Sequence, residues 1–144
     1  MARASRQFRL TMPEPLEWDL HKQIADALRL ELGAPLRLSA QGVTWASFDI
    51  ADSASAVPAA RIARGIVEGM PDLMFLYRGR AYFQEIKRPR LGVLSEAQKA
   101  VLATLRMAGA EVAVCHDAVS CVQHLDVWQI PRRRRLVMPM ERVA

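Results

Sequence analysis

Three residues of this chain have the types and spacing to act on a phosphate: Asp72, directly after Pro71, and the pair Glu85 and Lys87, one residue apart. Two converging carboxylates suit a hard divalent cation, and an ammonium beside them suits an anionic substrate. The surrounding sequence would bring them together. Leu73 to Tyr77 and Ala81 to Ile86 are rich in strand-favouring aromatic and aliphatic residues and meet at Arg78-Gly79, a turn signal, which predicts a β-hairpin. Asp72 then stands at the mouth of the first strand and Glu85 near the end of the returning one, at the same end of the ladder. Side chains alternate faces along a strand, so Glu85 and Lys87 project the same way. The plainer reading is solvated turn chemistry at strand ends. Against it stands the context: Lys87 is followed by Arg88, Pro89 and Arg90, a glycine-containing loop and a helix start.

The rest of the chain must carry that hairpin. At 144 residues and 51% hydrophobic composition it is long enough for one domain with a core that needs no disulfide or metal staple. Its formal charge of +5 is clustered at Arg3, Arg6 and Arg9, at Lys87, Arg88 and Arg90, and at Arg132 to Arg135, which favours a polyanionic partner. The alternative for each cluster is a solvated basic face. No stretch approaches the roughly 20 apolar residues of a membrane span, and the arginine-rich start lacks the apolar segment of a secretory signal. Residues 1–14 read as a basic arm, 15–131 as the domain and 132–144 as a basic and apolar tail, in a cytoplasmic protein. Cys115 and Cys121 read as core fillers of a reducing compartment.

Taken in order, Pro13-Glu14-Pro15 sets up a helix from Leu16 to Leu32 that Gly33 and Pro35 close. Its apolar stripe is Leu16, Leu20, Ile24, Ala27 and Leu28, with Glu17 on the edge, steered toward whatever the helix packs against. Glu17 also reads as an acid well placed near the helix dipole, and His21 as a surface or packing residue. Gly42 to Ile50 is a strand that extends the sheet, and Asp49 and Asp52 flank a turn. Pro58 begins a short helix to Val67, on which Arg61 and Arg64 share a face and are candidate phosphate contacts. Ser95 with Gln98 forms a capping box for a helix to Ala108, and Gln98, on the inward stripe, can also reach the end of the hairpin. Glu111 to His116 is a strand joined to the hairpin by that helix as a crossover, and Ala118 to Leu125 a helix that packs back. The order implies an α/β fold with a small mixed sheet, a central hairpin and flanking helices. Cys115, His116, Cys121 and His124 match no standard zinc spacing.

Glu17 on a first helix, Gly69-Met70-Pro71-Asp72, Glu85-Ile86-Lys87, Leu94-Ser95 followed by Gln98, and Gly109 before a last strand together resemble the VRR-NUC (virus-type replication-repair nuclease) branch of the PD-(D/E)XK superfamily. The resemblance covers about Glu17 to Pro131 and implies a restriction-endonuclease-like core and a stand-alone phage or bacterial nuclease. It implies Asp72 and Glu85 as ligands of Mg²⁺ or Mn²⁺, with the backbone carbonyl of Ile86 as a further ligand and Glu17 acting through the metal site or its waters. Lys87 would orient or activate the attacking water, and Gln98 matches the family's glutamine beyond the hairpin. Arg88, Arg90, Arg61, Arg64, Arg132 and Arg133 are the candidate DNA contacts. The resemblance further implies a homodimer that engages branched DNA such as Holliday junctions or flaps. The tail has no counterpart in the family.

The leading expectation is therefore a metal-dependent DNA endonuclease, selective for DNA structure. A second is a non-catalytic DNA-binding or assembly module that keeps the fold, and a third a hydrolase of a small phosphorylated substrate, which would need a deep enclosed pocket.

Overall fold

The structure is a computed structural model that describes residues 13–48 and 58–133. The arm arginines, the Asp49 and Asp52 turn, and Arg134, Arg135 and the apolar tail lie outside the described residues. The elements run α1 (Glu17–Leu32), β1 (Val43–Ser47), α2 (Ala59–Ile62), β2 (Leu73–Tyr77), β3 (Arg80–Ile86), α3 (Glu96–Met107), β4 (Glu111–Cys115) and α4 (Ala118–Val127). The four strands form one mixed sheet in the order β1-β2-β3-β4. β1 to β3 are antiparallel, and β4 joins β3 in parallel after the α3 crossover. The α/β fold with a central hairpin is thus the one the sequence predicts.

The hairpin turns on Arg78 and Gly79, both at positive φ (50° and 74°). That pair of angles has the twist that matches two right-twisted strands. Its register sets Leu73 opposite Gln84 and Phe75 opposite Tyr82. One face of the sheet carries Val43, Trp45, Leu73, Phe75, Tyr82 and Ile86, all buried, and packs with Leu20, Ile24, Leu28 and Leu32 of α1 and Cys121 and Leu125 of α4. Each fully buried aliphatic or aromatic side chain there contributes about 1.5–3 kcal/mol. Trp45 also closes its indole N–H onto the Gly33 carbonyl at 2.9 Å. Gln84, fully buried on the same face, donates to the Cys121 carbonyl at 3.0 Å. The opposite face carries Phe83 and Glu85, and α3 lies over it.

Two elements differ from expectation. Leu16 caps α1 and is 66% exposed, so the apolar stripe starts one turn later, at Leu20, and continues to Leu32. The helix predicted over Pro58 to Val67 is only Ala59–Ile62, and none of its residues is buried. With no packed face to reward it, a segment this short stays near the nucleation limit and continues as turns.

Candidate active site

The GMPD segment is fixed before β2 starts. Gly69 has φ +87°, and a Cβ there would stand 2.7 Å from the Ala97 carbonyl carbon and the Gln98 nitrogen. Only a glycine lets the chain pass this close to the first turn of α3. Two residues on, Pro71 is buried and Asp72 falls opposite Glu85, one step beyond the Leu73–Gln84 pair. The Asp72 carbonyl accepts from the Phe48 N–H at 2.7 Å, and its Oδ2 accepts from the Ile86 N–H, also at 2.7 Å. Asp72 is therefore tied to β1 on one side and to the catalytic-candidate strand on the other.

Glu85 is only 2% exposed. Its Oε1 accepts from the Gln98 amide at 2.6 Å and lies 3.1 Å from Lys87 Nζ. Its Oε2 is buried with no hydrogen-bond partner. Burial first, and the nearby Asp72 charge second, push the Glu85 carboxyl up to about 7, against the pull of Lys87. Gln98 does two jobs at once. Its Oε1 accepts from the Ser95 N–H at 2.9 Å while its own backbone N–H donates to the Ser95 hydroxyl oxygen at 3.1 Å, completing the capping box, and its Nε2 is left to hold Glu85. The cap that starts α3 also orients the buried carboxylate.

Lys87 is held by its backbone: its N–H donates to the Cys115 carbonyl at 2.9 Å, and its carbonyl lies 3.0 Å from His116 Nδ1. A carbonyl only accepts, so His116 carries its proton on Nδ1. His116 follows Cys115, which pairs with Ile86, so parallel register alone puts it beside Lys87. Sequence reasoning placed it only in a rejected zinc set. The structure separates that set: Cys115 and Cys121 sit in the core, where their mutual contact and burial push the Cys115 thiol up, while His124 Nδ1 lies 3.3 Å from Gln84 Oε1.

Glu17 does not reach the carboxylate pair directly. Its side chain is 63% exposed, and His21, one turn further along α1, stands between, with Nε2 4.0 Å from Glu17 Oε1 and 4.0 Å from Asp72 Oδ2. The sequence predicts His21 as a surface or packing residue, and the i,i+4 spacing from Glu17 puts both on one helix face. Of the basic candidates, Arg88 and Arg90 stand on the loop leaving Lys87, and Arg61 and Arg64 on α2 and the turn after it. Arg132 is committed to the fold. Its Nε and Nη2 grip Asp126 at 2.7 and 2.9 Å, and its Nη1 reaches buried Glu31 at 2.8 Å. Arg133 donates its backbone N–H to the Glu31 carbonyl at 2.8 Å.

The donor set fits a divalent cation. Lys87 meets only the Oε1 side of Glu85, and the buried Oε2, without a hydrogen-bond partner and close to a second carboxylate, leaves room for a further positive charge. Among the described residues no group of three or more His, Cys, Asp and Glu side chains is arranged to hold a metal. Two carboxylates are oxygen donors of the kind that hard divalent cations take, whereas nitrogen and sulfur donors suit zinc.

Among the described residues no helix is long and apolar enough to cross a membrane. No curated protein matches the chain in sequence. A solved structure titled "VRR_NUC domain protein" matches with a TM-score of 0.54, covering 79% of this chain and 88% of that one at 17% identity, a likeness of fold. The model of the VRR-NUC domain matches residues 19–118, from the first turn of α1 to the start of α4. With well over half its length matched, and with Asp72, Glu85 and Lys87 inside the match, the chain belongs to the VRR-NUC family of nucleases.

Proposed function

We propose that this protein is a metal-dependent endonuclease that hydrolyses DNA phosphodiester bonds, with branched or otherwise structured DNA as its substrate. The observation that carries the reading is the buried, unpartnered Oε2 of Glu85 beside Asp72, on a carboxylate held in place by Gln98 and Lys87. A module that only bound DNA would gain nothing from burying two acids next to phosphate.

Asp72 and Glu85 would hold Mg²⁺ or Mn²⁺ together with the Ile86 carbonyl, and Glu17 would act on its waters. Such an ion neutralises phosphate charge and acidifies bound water. The chain's own residues do the rest. Gln98 keeps Glu85 in one rotamer, and the Ile86 N–H does the same for Asp72. His21 stands between Asp72 and Glu17, its Nε2 4.0 Å from a carboxylate oxygen of each. Lys87 presents its ammonium on the Glu85 side, where it orients the attacking water and meets the charge that grows on the phosphate in the transition state. Arg88, Arg90, Arg61 and Arg64 would serve as sequence-neutral phosphate contacts. The family resemblance extends the proposal to a homodimer, whose two sites would face paired strands of a junction, and the sequence reading adds a cytoplasmic location.

The test is a cleavage assay on labelled duplex, flap, splayed-arm and four-way-junction DNA with Mg²⁺ or Mn²⁺. Symmetric junction cutting that EDTA and Lys87→Ala both abolish supports the reading. Binding of every substrate with no cleavage under any divalent metal replaces it with a non-catalytic DNA-binding module.

A further inference from the structure

One acid outside the family match reaches the loop that carries the phosphate-contact arginines. Glu14 stands between Pro13 and Pro15, and a residue before proline is held extended. Its carboxylate is therefore presented on a stiff segment, at small entropic cost. Glu14 Oε1 accepts the backbone N–H of Arg90, and Oε2 faces Arg88 Nε at 3.6 Å. The Glu14 side chain is 11% exposed and that of Arg88 28%. Oε2 and Nε are both buried, and neither has a hydrogen-bond partner. At 3.6 Å they attract by charge without closing a hydrogen bond.

The loop is folded to bring these donors together. The Gly92 N–H donates to the Arg88 carbonyl at 3.1 Å, and a Cβ on Gly92 would stand 2.5 Å from the Arg88 nitrogen and 2.8 Å from Lys87 Cβ. The turn is thus packed directly against the stem of Lys87. A guanidinium N–H and a backbone N–H converging on one carboxylate are also the donors that take a phosphodiester oxygen, and guanidinium serves both acceptors.

We infer that Arg88 Nε and the Arg90 backbone N–H form a binding site for a backbone phosphate of DNA, and that the Glu14 carboxylate fills it in the DNA-free chain. The inference rests on the reading of this chain as a DNA nuclease. It assigns Glu14 the role of an internal competitor, which keeps the loop in its binding shape and leaves when DNA arrives. The open Oε2–Nε contact is the feature that a better-fitting phosphate oxygen would improve on. Arg88 adjoins Lys87 in sequence, so a phosphate held there belongs to the strand that passes the carboxylate pair.

Fluorescence anisotropy with a labelled duplex, on the full chain in EDTA and over a range of salt, tests this without cleavage. Glu14→Gln keeps an acceptor for the Arg90 N–H and removes the competing charge. It is expected to bind severalfold more tightly at each salt concentration, because the natural chain must first release Glu14 while both chains then make the same phosphate contact. Arg88→Ala should then weaken binding more in the Glu14→Gln background than in the natural one. Unchanged or weaker binding by Glu14→Gln, equal Arg88→Ala effects in the two backgrounds, or no DNA binding by any variant would each overturn the inference. Failure of the nuclease reading is seen separately, as lack of metal-dependent cleavage by the natural chain.

Discussion

Glu85→Gln should make the metal-free protein more stable at pH 8 while destroying its activity. Burial and the Asp72 charge raise the Glu85 carboxyl from 4.5 to about 7 in the fold. An acid raised in this way favours the folded state while it is protonated. Its contribution is full below about pH 4.5 and is lost as pH rises through about 7. A gap of about 2.5 units, at about 1.36 kcal/mol each, makes the loss on the order of 3 kcal/mol by pH 8. Glutamine resembles the protonated acid and keeps an oxygen for Gln98 and Lys87, so it avoids that loss. Urea unfolding in EDTA is the assay. The Glu85→Gln midpoint should exceed that of the natural chain by about 1–3 M at pH 8, given a slope of about 1–3 kcal/mol per M, and nearly match it at pH 4.5. Mg²⁺ or Mn²⁺ at pH 8 should close the gap by stabilising the natural chain alone. An advantage of equal size at both pH values would refute the reasoning, because it would come from packing and not from a buried charge.

Three other outcomes follow from the same geometry. Lys87→Ala should lower the cleavage rate by at least about 100-fold, while anisotropy in EDTA shows DNA affinity falling by no more than the loss of one surface cation. Gly69→Ala would press a Cβ against the α3 backbone at Ala97 and Gln98 and strain a positive φ, costing about 1–3 kcal/mol. Because Gln98 moves with that turn, single-turnover rates should fall even at temperatures where circular dichroism shows the variant fully folded. Arg132→Ala removes a charge-assisted hydrogen bond from buried Glu31 and should lower unfolding free energy by about 1.5–3 kcal/mol, with little change in the salt slope of DNA binding.

Much of the fold was legible because it is local. The hairpin, its turn at Arg78-Gly79, the Ser95 capping box and the Glu111 strand each depend on residues a few positions apart, and side-chain period and turn chemistry act over that range. Pattern and structure part where packing decides. Leu16 continues the apolar period yet lies beyond the part of α1 that is covered. The segment after Pro58 has helix-forming composition but no surface to bury.

The candidate site divides along the same line. Asp72, Glu85 and Lys87 were readable because strand alternation and hairpin register carry them to one end of the ladder, whatever the rest of the chain does. Sequence also set Gln98 three residues after its cap and on the inward stripe. That the same amide holds Glu85, that His21 stands between Glu17 and Asp72, that His116 meets the Lys87 carbonyl, and that Arg132 turns inward to Glu31 are products of how helices dock on the sheet. The Glu14 contact spans 76 residues of chain. No periodicity or propensity extends that far, since side chains so distant meet only after the core has fixed the elements between them. The sequence alone determined which groups could do the chemistry, and tertiary packing decided which of them are held together, desolvated or taken up by the fold.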